Sequence, residues 1–457
     1  MMKLLKKRRK MDSMGKDRIS YLPDAILHHI LSFLPARSAV CTSALSTKWK
    51  YIWTAIFNVD ISDKLCYSAM THLVNPREET KFVKFVENLL CGHDATSIQR
   101  FCLSSKMTLE ASDVSAWIST LMEREVREII LKINVKTSVV LPCTLFYCES
   151  LTVVCADAII ELPSSICLSS LKVLHLEDIL ISSDKAVQQV SFTFPKLEEF
   201  YITDCPLMNI NVINIHAPAL KKQVIHDDNM FYYMCKVNIY ADSLVSLHLI
   251  SKWGYQISLH NSSTLSKVYV DTYNECRKVD HGFGLRARKF LEGIYNIKDL
   301  MLTCDFIRNL SKAGLTKKLL VFTNLIHISV RVHCDGFKGE YLIELLRNLP
   351  NIETLLLISG LNLCWFDQQA WAHSGTRSKD FLSHLKSVEI RCFRGKDNEL
   401  HFVQFLLTHA RNLKKVTIIS SSALSLNLKR QMLVCRPLFL GLCEIGFYDQ
   451  KTSANCK

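Results

Sequence analysis

A six-residue phrase, Leu-x-x-Φ-x-Φ with Φ apolar, recurs twelve times in order along this chain. No other feature narrows the possible folds as far. The copies start at Val126, Leu151, Leu171, Leu197, Leu220, Leu244, Leu265, Ile297, Leu325, Ile352, Leu385 and Leu413, mostly 20–28 residues apart, with two gaps of 32 and 33. The copy at Leu220 is the weakest, because Gln223 stands in one of its apolar slots. Apolar residues at every second position mark a strand with one face turned to a core. A unit of this length cannot bury that face alone, so successive units must stack and share one continuous core. An ordinary α/β domain with many strands would not keep such an order and period.

The period is that of leucine-rich repeats, so the expected architecture is α/β: a solenoid with a curved parallel sheet. Uneven spacing and the lack of a visible asparagine ladder predict an irregular solenoid, with short or absent helices on its convex side. The Φ residues point inward, and their alternates form the concave face. Those alternates include Glu199, Tyr201, His248, Lys267, Tyr269, Asp271, Asp299, His327, Arg331, Glu389, Arg391 and Lys415. Charges of both signs with two tyrosines suit a protein-binding surface. Tyr201, His248, Tyr269, His327 and Arg331 are the candidate contacts.

Ahead of the repeats, residues 17–57 carry three short helical patterns. Pro23 and Asp24 suit the first turn of a helix. Ile26, Ile30 and Leu34 recur every four residues beside Leu27 and Leu31, and Pro35 ends the pattern. A second stretch runs from Ala36 to Leu45. Ser46 is placed to cap a third, in which Trp49, Trp53 and Ile56 share a face. About 40 residues cannot bury all these side chains, so part of the apolar surface needs cover from the rest of the chain or from a partner.

The blocks Asp17–Asp24, Ile30–Pro35 and Leu45–Trp53 resemble an F-box. Cys41 and Thr47 stand where basic residues are common in relatives. The resemblance implies docking onto the Skp-type adaptor of an SCF (Skp–cullin–F-box) ubiquitin ligase, and through it onto cullin and RING subunits. Leu22, Pro23, Ile26, Leu27, Ile30, Leu31, Leu34, Pro35, Leu45, Trp49 and Trp53 would form the docking unit, some as its core and others as its contact surface.

The joining segment resembles that of plant F-box/LRR proteins. Lys81–Leu90 is helical by period and Ser97–Leu103 reads as a strand. Trp117-Ile118, Leu141–Leu151 and Leu162–Leu168 also fit. Residues 381–449 read as strand, helix, strand and tail, and resemble the FBD region at the end of many such proteins. The segment Arg436-Pro437-Leu438 departs from that pattern. The expected boundaries are 1–16 for a basic tail, 17–60 for the F-box, 61–125 for a helical linker with the first repeat strand, 126–380 for the solenoid and 381–450 for the FBD region. By physics alone, the last unit would cap the open end of the solenoid.

The net charge of +13 is uneven, with eight Lys/Arg against two Asp in residues 1–18. Lys6, Lys7, Arg8, Arg9 and Lys10 read as a nuclear-localisation candidate or as a solvated tail. No aromatic interleaving or recognition helix follows, which argues against a nucleic-acid partner. The same run breaks any secretory apolar stretch, and no segment has the roughly 18 consecutive apolar residues of a membrane span. The expected location is nucleus and/or cytoplasm, and most of the 18 cysteines are read as small buried residues. No nucleophile elbow, phosphate loop, dinucleotide loop or His-Glu-x-x-His motif occurs. The expectation is a non-catalytic ligase subunit with no cofactor or metal, whose repeats hold an unknown target protein. A repeat scaffold without adaptor docking and a small-molecule receptor are the alternatives.

Overall fold

The computed structural model describes residues 19–62, 76–93, 98–162, 165–183, 188–227, 235–251, 256–272, 281–316, 319–332, 337–359, 382–420 and 443–449. The basic run at 6–10 and the Arg436-Pro437-Leu438 departure lie outside them. The chain forms two compact units, Met1–Val139 and Val140–Lys457.

In the first unit, α1 (Asp24–Leu31) and α2 (Ala36–Cys41) each follow a proline. Pro23 and Pro35 sit at the N-cap positions with φ of −57° and −54°. These are values the pyrrolidine ring sets by itself. The third helical pattern folds differently from its sequence reading. It forms a 3₁₀ helix, Trp49–Ala55, and the second stretch ends in a shorter 3₁₀ turn, Thr42–Ala44. Three residues per turn bring Trp49 and Ile52 to the inner side, and both are buried. Trp53 is half-buried, and its ring lies against the C-terminal end of α3 (Pro76–Gly92). There the absence of a side chain on Gly92 admits it: a Cβ would stand 2.9 Å from Trp53 Cη2.

Three parallel strands follow, β1 (Asn58–Ser62), β2 (Arg100–Leu109) and β3 (Glu128–Val135). Val59, Phe101 and Ile129 stand in register, as do Ile61, Leu103 and Leu131, and all six are buried. Helix α4 (Ala111–Glu123) buries Val114, Trp117, Ile118 and Leu121, an i, i+3, i+4, i+7 stripe. Within this unit, parallel strand pairing therefore begins directly after the F-box helices, with β1 and β2 ahead of the first copy of the repeated phrase.

The second unit holds one long parallel sheet. Its strands run in chain order through Ser150–Leu162, Val173–Ser183, Glu199–Thr203, Lys222–Asp227, Ser246–Ser251 and Lys267–Thr272. They continue through Asp299–Thr303, His327–Arg331, Thr354–Ile358, Ser387–Phe393, Lys415–Ser420 and Glu444–Asp449. Its inward row reads Leu174, Phe200, Gln223, Leu247, Val268, Leu300, Ile328, Leu355, Val388 and Val416, all buried.

The opposite layer changes halfway. Up to residue 260 it is a second parallel sheet of Ser165–Cys167, Gln189–Thr193, Val212–His216, Lys236–Tyr240 and Gln256–His260. Beyond that, helices take over: α5 (His281–Gly293), α6 (Cys304–Lys312), α7 (Gly339–Leu346) and α8 (Asp397–His409). Phrase spacing explains the change. Copies 20–26 residues apart leave room for a second short strand, whereas those 27–33 apart accommodate a helical turn-back. Among the described residues, convex helices are thus absent between the strands from Ser150–Leu162 to Lys267–Thr272 and present beyond them.

A polar ladder does exist, on the second sheet. Asn238 Nδ2 donates to Asn214 Oδ1 at 2.7 Å, and Asn214 Nδ2 to Ser191 Oγ at 3.2 Å. These asparagines lie outside the repeated phrase, which is why its pattern did not show them.

At the C-terminal end the sheet runs on through Ser387–Phe393, Lys415–Ser420 and Glu444–Asp449. The strand–helix–strand region is a continuation of the array in the same register. Glu399, fully buried, holds its turn, accepting from the backbone N–H of Arg394 and of Lys396, both at 3.0 Å. Gly395 between them has φ +77°, where a side chain would be strained.

Candidate functional sites: an apolar docking face and a concave row

The candidate docking residues divide into two sets by helix geometry. Leu27 and Leu31 lie one turn apart on the inner side of α1 and are 0% and 1% exposed. Ile26 and Ile30 lie one turn apart on the outer side and are 46% and 41% exposed. Leu45 is 68% exposed and Phe33 74%. Pro23 and Pro35 are exposed, Leu22, Leu34 and Trp53 half-buried, and Trp49 buried.

Two side chains lock the approach to α1 with three hydrogen bonds. Lys48 Nζ donates to the carbonyls of Ser20 and Leu22 at 2.7 and 3.0 Å, and Trp49 Nε1 donates to Ser20 Oγ at 2.7 Å. Trp49 is therefore a core residue that also holds the segment leading into Leu22-Pro23. Ile26, Ile30, Phe33 and Leu45 are the large apolar side chains that this outward set presents to solvent. Phe33 and Tyr21, the latter also strongly exposed, were missed as candidates because each falls outside the four-residue period. Cys41 and Thr47 are both exposed.

On the long sheet, the central concave row runs His175, Tyr201, Val224, His248, Tyr269, Met301 and Ser329 in register. Three of the five candidate contacts, Tyr201, His248 and Tyr269, thus share one row. Tyr201 Oη donates to Glu199 at 2.5 Å, and Lys222 Nζ stands 5.2 Å from its ring centre. Tyr269 Oη donates to Asp271 at 3.1 Å, its ring stacks on His248 at 5.4 Å, and the Arg331 guanidinium stands 5.7 Å from it. Arg331 also pairs with Asp271.

Each tyrosine is therefore held by a carboxylate on its own strand and a cation from another. Burial, helped by those carboxylates, raises the pKa of both phenols. Burial and the nearby Lys222 charge lower that of His248. His327 stands apart, on the neighbouring row with Lys267 and Asp299, bonded to Thr354. Sequence reasoning missed His175, whose ring lies 5.4 Å from Tyr201, and Lys222. Both occupy concave positions of their strands, so extending the alternation rule to every copy would have found them.

Among the described residues, no group of three or more His, Cys, Asp and Glu side chains is placed to hold a metal ion. No described helix is long and apolar enough to cross a membrane.

The F-box domain model matches residues 19–56, and the FBD model matches residues 379–418. An F-box/FBD/LRR-repeat protein of Arabidopsis thaliana is 25% identical over 447 residues, covering 94% of this chain and 99% of the relative. Another is 26% identical over 414 residues, covering 87% and 91%. An FBD-associated F-box protein of the same plant is 25% identical, covering 88% of each. The chain carries an F-box and an FBD region, joined by a leucine-rich-repeat solenoid. Over most of its length it is similar to the plant F-box/FBD/LRR-repeat proteins, and F-box proteins in general are non-catalytic adaptors that bind a Skp-type partner.

Proposed function

We propose that this chain is the substrate-recognition subunit of an SCF-type E3 ubiquitin ligase. The outward set Ile26, Ile30, Phe33 and Leu45 carries the reading. These are large apolar side chains on an F-box whose core is already filled by Leu27, Leu31 and Trp49. The outward set, with Leu22, Pro23 and Pro35, docks onto the Skp-type adaptor, which brings cullin and RING subunits. The concave face of the solenoid, with Tyr201, His248 and Tyr269 in one row and Arg331 and His327 beside it, holds the target protein. Ubiquitin transfer takes place on other subunits, and this chain raises the local concentration of target beside them. The protein works in nucleus and/or cytoplasm, with Lys6–Lys10 as an import signal tested by deleting them.

Co-purification with a Skp-type adaptor tests the reading. Wild type is captured, and a Leu22→Ala/Pro23→Ala variant that remains folded is not. Failure to capture folded wild type would leave a repeat scaffold without ligase docking as the better description.

A further inference from the structure

Gln223 is the one polar residue in the inward row of the long sheet, between Phe200 and Leu247. It is fully buried. Its Nε2 makes one long bond, 3.4 Å, to the Val224 carbonyl, and its Oε1 has no hydrogen-bond partner among the described residues. A leucine would fill the row without leaving an acceptor unpaired, so the amide works against stability where it stands. Its surroundings suggest what it serves.

Gln223 lines a cavity of about 50 Å³ between the two sheets of the second unit. Phe192, Phe194, Phe200 and Ile213 supply apolar walls. Cys205 also lines it, but its thiol donates to the Thr203 carbonyl, and burial pushes its pKa up to about 12, so no charge is offered there. The cavity therefore presents one strong free acceptor in an apolar chamber. A buried water needs roughly two to four polar partners, which this chamber does not provide. At roughly 10–15 Å³ for each water-sized group, the space suits about three to five non-hydrogen atoms.

We infer that this cavity is a binding site for a compact, mostly apolar molecule carrying a single N–H or O–H. The donor bonds Gln223 Oε1, and the apolar body rests against the phenylalanines. Such a ligand supplies the missing hydrogen bond and the missing contacts together, and it stabilises the layer contact between the two sheets.

Pyrrole and furan make the test, because they share a five-membered ring and only pyrrole has an N–H. Thermal unfolding of the full chain is followed with millimolar concentrations of each, for wild type and for Gln223→Leu. Pyrrole raises the midpoint of wild type and binds on the order of tenfold tighter than furan, the worth of one buried hydrogen bond. In Gln223→Leu that preference disappears. Gln223→Met, which keeps the length of the side chain without the amide, loses it too. Equal shifts by the two rings in wild type would overturn the inference. So would no shift by either ring, or a pyrrole preference that survives in both variants.

Discussion

Ile30 and Leu31 are neighbours in sequence with opposite duties, and truncating each separates folding from docking. Leu31 is 1% exposed, so Leu31→Ala leaves a cavity in the F-box core and costs about 3 kcal/mol, within the range of about 2–5 for such changes. The first unit has 139 residues. At about 2.1 cal/mol/K of unfolding entropy per residue, the loss lowers its Tm by roughly 10 °C. Ile30 is 41% exposed and sits on a helix, where alanine is the better former. Ile30→Ala therefore costs under about 1 kcal/mol in stability. As an anchor within a buried contact, however, it costs about 2 kcal/mol of adaptor binding, close to 30-fold in Kd. Thermal unfolding of the full chain and calorimetric titration with a Skp-type adaptor read the two effects. A large Tm loss in Ile30→Ala with unchanged adaptor affinity would refute this division of the helix. So would Leu31→Ala melting like wild type.

Four further outcomes follow from named contacts. Gln223→Leu removes an unpaired buried acceptor and stabilises the solenoid by about 1–3 kcal/mol, measured by denaturant unfolding. Glu399→Ala strips the acceptor from the Arg394 and Lys396 amides and destabilises the C-terminal region by about 1–3 kcal/mol, seen as faster exchange of those amides. Because the folded chain holds the pKa of His248 below its unfolded value, the unfolded chain takes up the proton first as pH falls. That part of stability is present above about pH 6.5 and is lost below it. His248→Phe, which keeps a ring against Tyr269, flattens the loss, and unfolding curves between pH 5 and 8 check it. Gly92→Ala drives a methyl into the Trp53 ring and lowers the Tm by several degrees, with a change in tryptophan fluorescence.

Much of the sheet could be read from the sequence because its rule is local. Each Leu-x-x-Φ-x-Φ copy places its own strand, and the observed registers align copy with copy, even at the weak Leu220 phrase. The opposite layer was less legible. Its second sheet is built from short stretches such as Val212–His216, which are too brief for periodicity to separate from loop. The spacing of Trp49, Trp53 and Ile56 predicts a helix with one shared face, but Trp49–Ala55 closes as 3₁₀ turns because Trp49 and Ile52, three apart, both find the core. For the sites, alternation placed Tyr201, His248 and Tyr269 on one face. The link from Arg331 to Asp271, sixty residues away, depends on stacking that no single repeat encodes.

The docking claim meets its most direct test in hydrogen exchange of the full chain with and without a Skp-type adaptor. The account predicts slower exchange across residues 20–35 and around Leu45 when the adaptor is present, with the strands from 173 to 331 unchanged. Unaltered exchange at residues 20–35 in a chain that binds the adaptor, or slowing confined to the solenoid strands, would contradict it.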